Sequence, residues 1–91
     1  MITVSDNKAS LVGSVTLQNI NALLAQGRAA FSAPFLSVDL AQVTEVDSTA
    51  VSLLLEWRRD AQRQNRVITF VNYPENLQSL MKLYGVSELL V

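Results

Sequence analysis

Hydrophobic and polar positions change period several times along the chain, and each change marks an element. Ile2 to Val4 reads as a short strand. Asp6-Asn7 is a turn signal, and Ala9 to Val15, "ASLVGSV", reads as a second strand, so the pair predicts an antiparallel hairpin. Leu17, Ile20, Leu24, Gly27 and Phe31 then recur at helical spacing, with Leu23 widening the stripe. Thr16 is placed to cap that helix through its hydroxyl. Gly27 weakens the helix interior by about 1 kcal/mol relative to alanine; it marks either close packing or an early end, and Pro34 closes the segment.

Phe35 to Leu40 reads as a strand, and Val43 to Val46 lead into the segment "EVDSTAVSLLLEW". From Ser48 to about Gln64 the period is helical, and Arg66 to Val71, "RVITFV", is the strongest strand, β-branched and aromatic. Pro74 suits a first helical position and Gly85 a C-terminal stop, with Leu77, Leu80, Met81 and Tyr84 as the apolar stripe between them. Val86 to Val91 holds either a helical turn or a last edge strand. The order β-β-α-β-α-β-α predicts one α/β domain over residues 1–91. It would be a mixed four- or five-stranded sheet with βαβ crossovers and three to four helices.

The helix from Ala50 onward carries more apolar surface than one packed side needs. At about 100° per residue the arc from Leu53 to Leu55 spans roughly 200°. Either the sheet and a neighbouring helix bury both flanks, or one flank, near Leu53 and Trp57 or near Leu55, waits for a partner. Burial of both flanks is the simpler reading; for the second, tryptophan is a residue favoured at interface centres, because it buries a large area with few torsions to fix. On that reading Trp57→Ala weakens partner binding more than folding.

Composition removes several function classes. The 91 residues leave little room for a deep cavity. Cysteine and histidine are absent, so no disulfide, Cys/His zinc site or histidine-dependent nucleophile can be built. No metal or cofactor is expected. The net charge is −1, without the basic excess of a nucleic-acid binder. Arg58, Arg59 and Arg63 are interrupted by Glu56 and Asp60, which reads as a solvated face. No apolar run approaches the ~20 residues of a membrane span, and the first residues lack the pattern of a signal peptide, so a cytoplasmic location is expected.

Asp47-Ser48-Thr49 stands where a strand gives way to a helix. Capping by one of these residues, worth about 1 kcal/mol, explains one polar side chain there. It does not explain two adjacent hydroxyls at the edge of an open α/β sheet where sites tend to form. A small enzyme using Asp39, Asp47 and Ser48 lacks any group titrating near neutral pH and any phosphate-cradling glycine loop.

The segment "VDLAQVTEVDSTAVSLLLEWRR" resembles the signature of STAS domains, the fold shared with anti-sigma-factor antagonists. Val38-Asp39-Leu40 matches the strand, and Asp47-Ser48 the Asp-Ser/Thr at the following helix. The continuation "LLLEWRR" and the tail "NLQSLMKLYGVSELL" are similar to the MlaB type, the cytoplasmic STAS subunit of a phospholipid-trafficking ABC transporter. This resemblance implies a non-catalytic chain that docks on the ATPase (MlaF-type) subunit and meets the inner membrane only through the transporter. Asp47, Ser48, Thr49, Leu53 and Trp57 are then the expected partner-binding residues. The alternative implied is an anti-sigma-factor antagonist, phosphorylated at Ser48 by an anti-sigma serine kinase. Many relatives carry glycine where this chain has Ala50, which stiffens the loop and weighs against the phosphorylated switch.

Overall fold

The computed structural model describes residues 2–31 and 34–86. Its elements are β1 (Ile2–Ser5), β2 (Lys8–Leu11), β3 (Gly13–Val15), α1 (Ile20–Ala30), β4 (Phe35–Asp39), β5 (Val43–Val46), α2 (Ser48–Arg63), β6 (Val67–Val71) and α3 (Glu75–Leu83). The expected α/β class and mixed sheet are present. Four strands lie in the order β1-β2-β4-β6, with β1 antiparallel to β2 and the others parallel. A second, two-stranded parallel sheet pairs β3 with β5.

Three local readings change. The expected strand Ala9–Val15 divides into β2 and β3, because Gly13 adopts φ +95°, outside the extended region open to other residues. Val43–Val46, read only as a lead-in, is the partner strand of β3. Thr16 does not cap α1, which begins four residues later at Ile20 behind Asn19. Thr16 instead opens a turn in which its N–H donates to Asn19 Oδ1 at 2.9 Å, and Leu17 leaves the buried stripe. The reading of Val86 to Val91 falls largely outside the described residues; Val86 itself packs against the core.

Inward residues of the strands, Ala9, Leu11, Leu36, Val38, Ile68 and Phe70, alternate with outward ones, as a sheet covered on one side requires. Leu23 from α1, Val51, Leu53, Leu54 and Trp57 from α2, and Leu77 and Met81 from α3 complete the core. The other sheet face leaves Phe35, Val67 and Val71 exposed. Tyr84, expected in the core stripe of α3, is half exposed, because the helix ends at Leu83 and turns away at Gly85.

Candidate functional site

The parallel pairing of β3 with β5 sets Val15 opposite Val46. The chain leaves both strands at the same edge, one towards α1 and the other towards α2. Asp47 N–H donates to Val15 O at 3.3 Å, closing the gap between the two exits. Asp47 is the N-cap of α2, in extended conformation, which assigns to one residue the capping role that the sequence left open among three.

Its carboxylate does more than cap. Oδ1 accepts from Thr49 N–H at 2.9 Å and also from the Thr49 hydroxyl. Oδ2 accepts from Leu17 N–H at 2.9 Å, thirty positions away in sequence. These donors favour the charged form, so the Asp47 pKa lies below its ordinary value of 3.8; the Thr49 hydroxyl contributes most, followed by the Leu17 N–H.

The two hydroxyls therefore differ. Thr49 is half-buried with its O–H committed to Asp47. Ser48, the first residue of α2, is exposed, and its hydroxyl has no hydrogen-bond partner among the described residues. Ala50 is buried in regular helix, its N–H donating to Asp47 O at 3.0 Å. The first turn of α2 thus has no freedom of the kind glycine would give it.

Leu53 and Trp57, expected beside these residues on an uncovered flank, are not there. They are 1% and 2% exposed. The reason is the placement of α2 against β6 with α1 on one side and α3 on the other, which buries both flanks of the wide apolar arc. Trp57 sits edge-on to Phe31, ring centroids 4.9 Å apart, and is part of the core. Leu55, on the opposite flank, is half-buried against the same core. Leu53 and Trp57 are core positions in this chain, and the surface next to Ser48 is formed by other residues.

Sequence periodicity missed two of those. Leu17 counts as the first residue of the α1 stripe, yet it is 72% exposed on the turn before the helix. Asn19 fixes that turn, its Nδ2 donating to Ser14 O at 2.8 Å. A Thr-Leu-Gln-Asn run can continue a helix or form such a turn; here the bonds of Asn19 to Thr16 and Ser14 and that of Leu17 to Asp47 hold the turn. On the far half of α2, Arg59 pairs with Glu56 at 2.9 Å and Arg63 with Asp60 at 2.7 Å, while Arg28 of α1 reaches Asp60 at 3.3 Å. These arginines are engaged with carboxylates, as a solvated helix face predicts. Among the described residues no helix is long and apolar enough to cross a membrane.

A family model described as "Mlab, STAS domain" matches residues 2–91. Among solved structures, the chain is similar to the anti-sigma factor antagonist SpoIIAA in its unphosphorylated form. Identity is 14%, TM-score 0.73, covering 97% of this chain and 82% of that one. It is also similar to part of the crystal structure of Mglu, at 17% identity and TM-score 0.64, covering 85% of this chain and 20% of the other. No curated protein matches it in sequence. At these identities the structural likenesses speak for the fold.

Proposed function

Since the chain belongs to the MlaB-type STAS domain family, we propose that it is the non-catalytic STAS subunit of a phospholipid-trafficking ABC transporter. In this reading residues 1–91 form one domain that docks on the cytoplasmic ATPase subunit and supports its assembly and activity. It reaches the inner membrane only through that complex and needs no cofactor.

The observation that carries the reading is Ser48. It stands exposed at the head of α2 with its hydroxyl unengaged among the described residues, while its neighbours Asp47 and Thr49 satisfy one another. A hydroxyl held at the head of a stable helix is suited to a partner's backbone or side chain, and binding there costs little reordering. Asp47 and Thr49 hold the contact surface in shape.

The test is reconstitution with the ATPase subunit of the transporter from the same organism. The wild-type chain should co-elute with it, and Ser48→Arg should abolish the complex with the melting temperature unchanged. Absence of a wild-type complex would refute the reading.

A second reading has one observation in its favour. The fold matches an anti-sigma factor antagonist whose structure is of the unphosphorylated form, and Ser48 is open to a kinase. It requires a soluble serine kinase as partner and a mobility shift in phosphate-affinity electrophoresis that Ser48→Ala removes. The fixed helical conformation at Ala50 favours the transporter reading over it.

A further inference from the structure

The last turns of α2, at the opposite end from Ser48, form one wall of a cleft of about 50 Å³ that also borders α1, β4 and β6. Phe31, Leu36 and Val67 give it apolar sides, and Gly27 and Trp57 line it as well. Two polar groups on this cleft lack the partners their burial calls for. Trp57 Nε1 is sealed from solvent and has no acceptor among the described residues, although a buried donor is normally paired because leaving it unpaired is costly. It lies where a side chain at position 27 would begin, and glycine offers none. Arg66 is half-buried and donates to Phe31 O at 2.6 Å, but no carboxylate lies within ion-pair distance of it among the described residues. Asp60, also on the cleft, is already held by Arg28 at 3.3 Å and Arg63 at 2.7 Å.

We propose that this cleft binds a carboxylate, its oxygens on the Arg66 guanidinium and its short apolar stem against Phe31, Leu36 and Val67. Both groups in want of a partner are donors, so the ligand supplies acceptors. Arg28 and Arg66 outweigh Asp60 on the cleft, which favours an anion. The planar guanidinium fork matches the two oxygens of a carboxylate. Size sets the rest. A cavity of about 150 Å³ takes benzene, so roughly a third of that volume takes a carboxyl group and a carbon or two. The apolar walls suit such a stem and leave a fully hydrated oxyanion such as phosphate poorly matched. Trp57 Nε1 is the second donor, gained when the ring shifts slightly on Gly27; Arg66 needs no such shift. The site shares no residue with the Ser48 surface, so it stands or falls apart from the docking reading.

Trp57 is the sole tryptophan, so its indole N–H gives one NMR cross-peak that reports on the cleft. Titration with sodium propionate should move that peak saturably, with a Kd in the millimolar range expected for so small a ligand. Sodium chloride at the same ionic strength should not, and inorganic phosphate should bind more weakly than propionate. Octanoate separates two sources of the same group: binding about tenfold tighter than propionate marks the head of a longer acid, equal binding marks a free short acid, and either supports the site.

Charge at position 67 supplies the decisive comparison. Val67 is exposed at the cleft and outside the core, so Val67→Glu and Val67→Lys should shift the melting temperature alike. Val67→Glu should raise the Kd for propionate at least about tenfold, as a like charge beside the ligand requires, while Val67→Lys should keep or lower it. Arg66→Gln should weaken binding as Val67→Glu does. Where loss of the Phe31 bond also lowers its melting temperature, the Val67 pair carries the test. An indole peak that does not saturate with propionate, phosphate binding as tightly as propionate, or the two Val67 variants acting alike on affinity would each overturn the assignment.

Discussion

The indole of Trp57 lies against the backbone of Gly27, so close that a Cβ added at Gly27 would stand 2.4 Å from Nε1 and 2.7 Å from Cε2. This contact brings α1 against α2, and it settles which of the two roles the glycine has: close packing, with the helix running on to Ala30. The ring is buried and edge-on to Phe31, so a methyl at Gly27 forces it out of its present packing. Gly27→Ala therefore sets a helix-propensity gain of about 1 kcal/mol against an overpacking cost of about 1–3 kcal/mol. Three ring atoms closer than 3.0 Å to the added carbon must shift together, so urea unfolding should show a net loss of stability. Trp57→Phe, which removes the crowding atoms, should be less damaging in the Gly27→Ala background than in the wild type.

Trp57→Ala and Leu53→Ala act on folding. Removing these core side chains costs about 2–5 kcal/mol, a large part of the stability of a chain this size. Both variants should show early unfolding in thermal melts. Because Trp57 is the sole tryptophan, its emission in the wild type should be blue-shifted and should move red in a single step on unfolding. Retention of the wild-type melting temperature by Trp57→Ala would place it back on the surface.

Much of the architecture was legible because period and punctuation agreed. α2 and a polar cap at its start follow from the Asp47-Ser48-Thr49 run before a long helical pattern, and α3 from apolar spacing between Pro74 and Gly85. The wide arc of α2 was legible too, but its meaning was not. An arc of that width fits a helix wedged between two others as well as it fits a docking face, and the choice depends on α1 and α3 reaching it. The same holds for β5. Four residues are too few to declare themselves without knowing that β3 lies alongside. The site shows the sharpest division. Asp47-Ser48-Thr49 is a local motif and can be read locally, whereas Leu17 joins it through one hydrogen bond across thirty positions.

The Asp47 carboxylate gives the chain an acid-sensitive contact. Its pKa is lowered first by the Thr49 hydroxyl, so Thr49→Val should raise it towards 3.8, as read by NMR titration of the carboxyl carbon. The sign for stability follows from the lowered folded value. The unfolded chain binds the proton more tightly, so the contribution is complete above about pH 4. It is lost as pH falls through the folded pKa. The melting-temperature gap between wild type and Asp47→Asn should accordingly narrow on acidification. A gap that widens in acid would contradict the hydrogen-bond assignment.

Gly85 tests a different property of glycine from Gly27. Nothing lies within 4 Å of a Cβ built there, yet φ is +67°. The conformation closes α3: Gly85 N–H donates to Lys82 O at 3.1 Å and Val86 N–H to Met81 O at 3.0 Å, the paired bonds that end a helix with a left-handed residue. Gly85→Ala meets no steric obstacle and should still lose about 1 kcal/mol, the ordinary cost of that backbone region for a residue with a Cβ. Gly85→Asn should recover part of the loss, since asparagine tolerates the region better. The two glycines then separate by experiment. The loss at Gly85 should be independent of Trp57, whereas the loss at Gly27 should shrink when Trp57 is replaced by phenylalanine. Equal coupling of both sites to Trp57 would mean that α3 and the α1–α2 contact unfold as one strained unit.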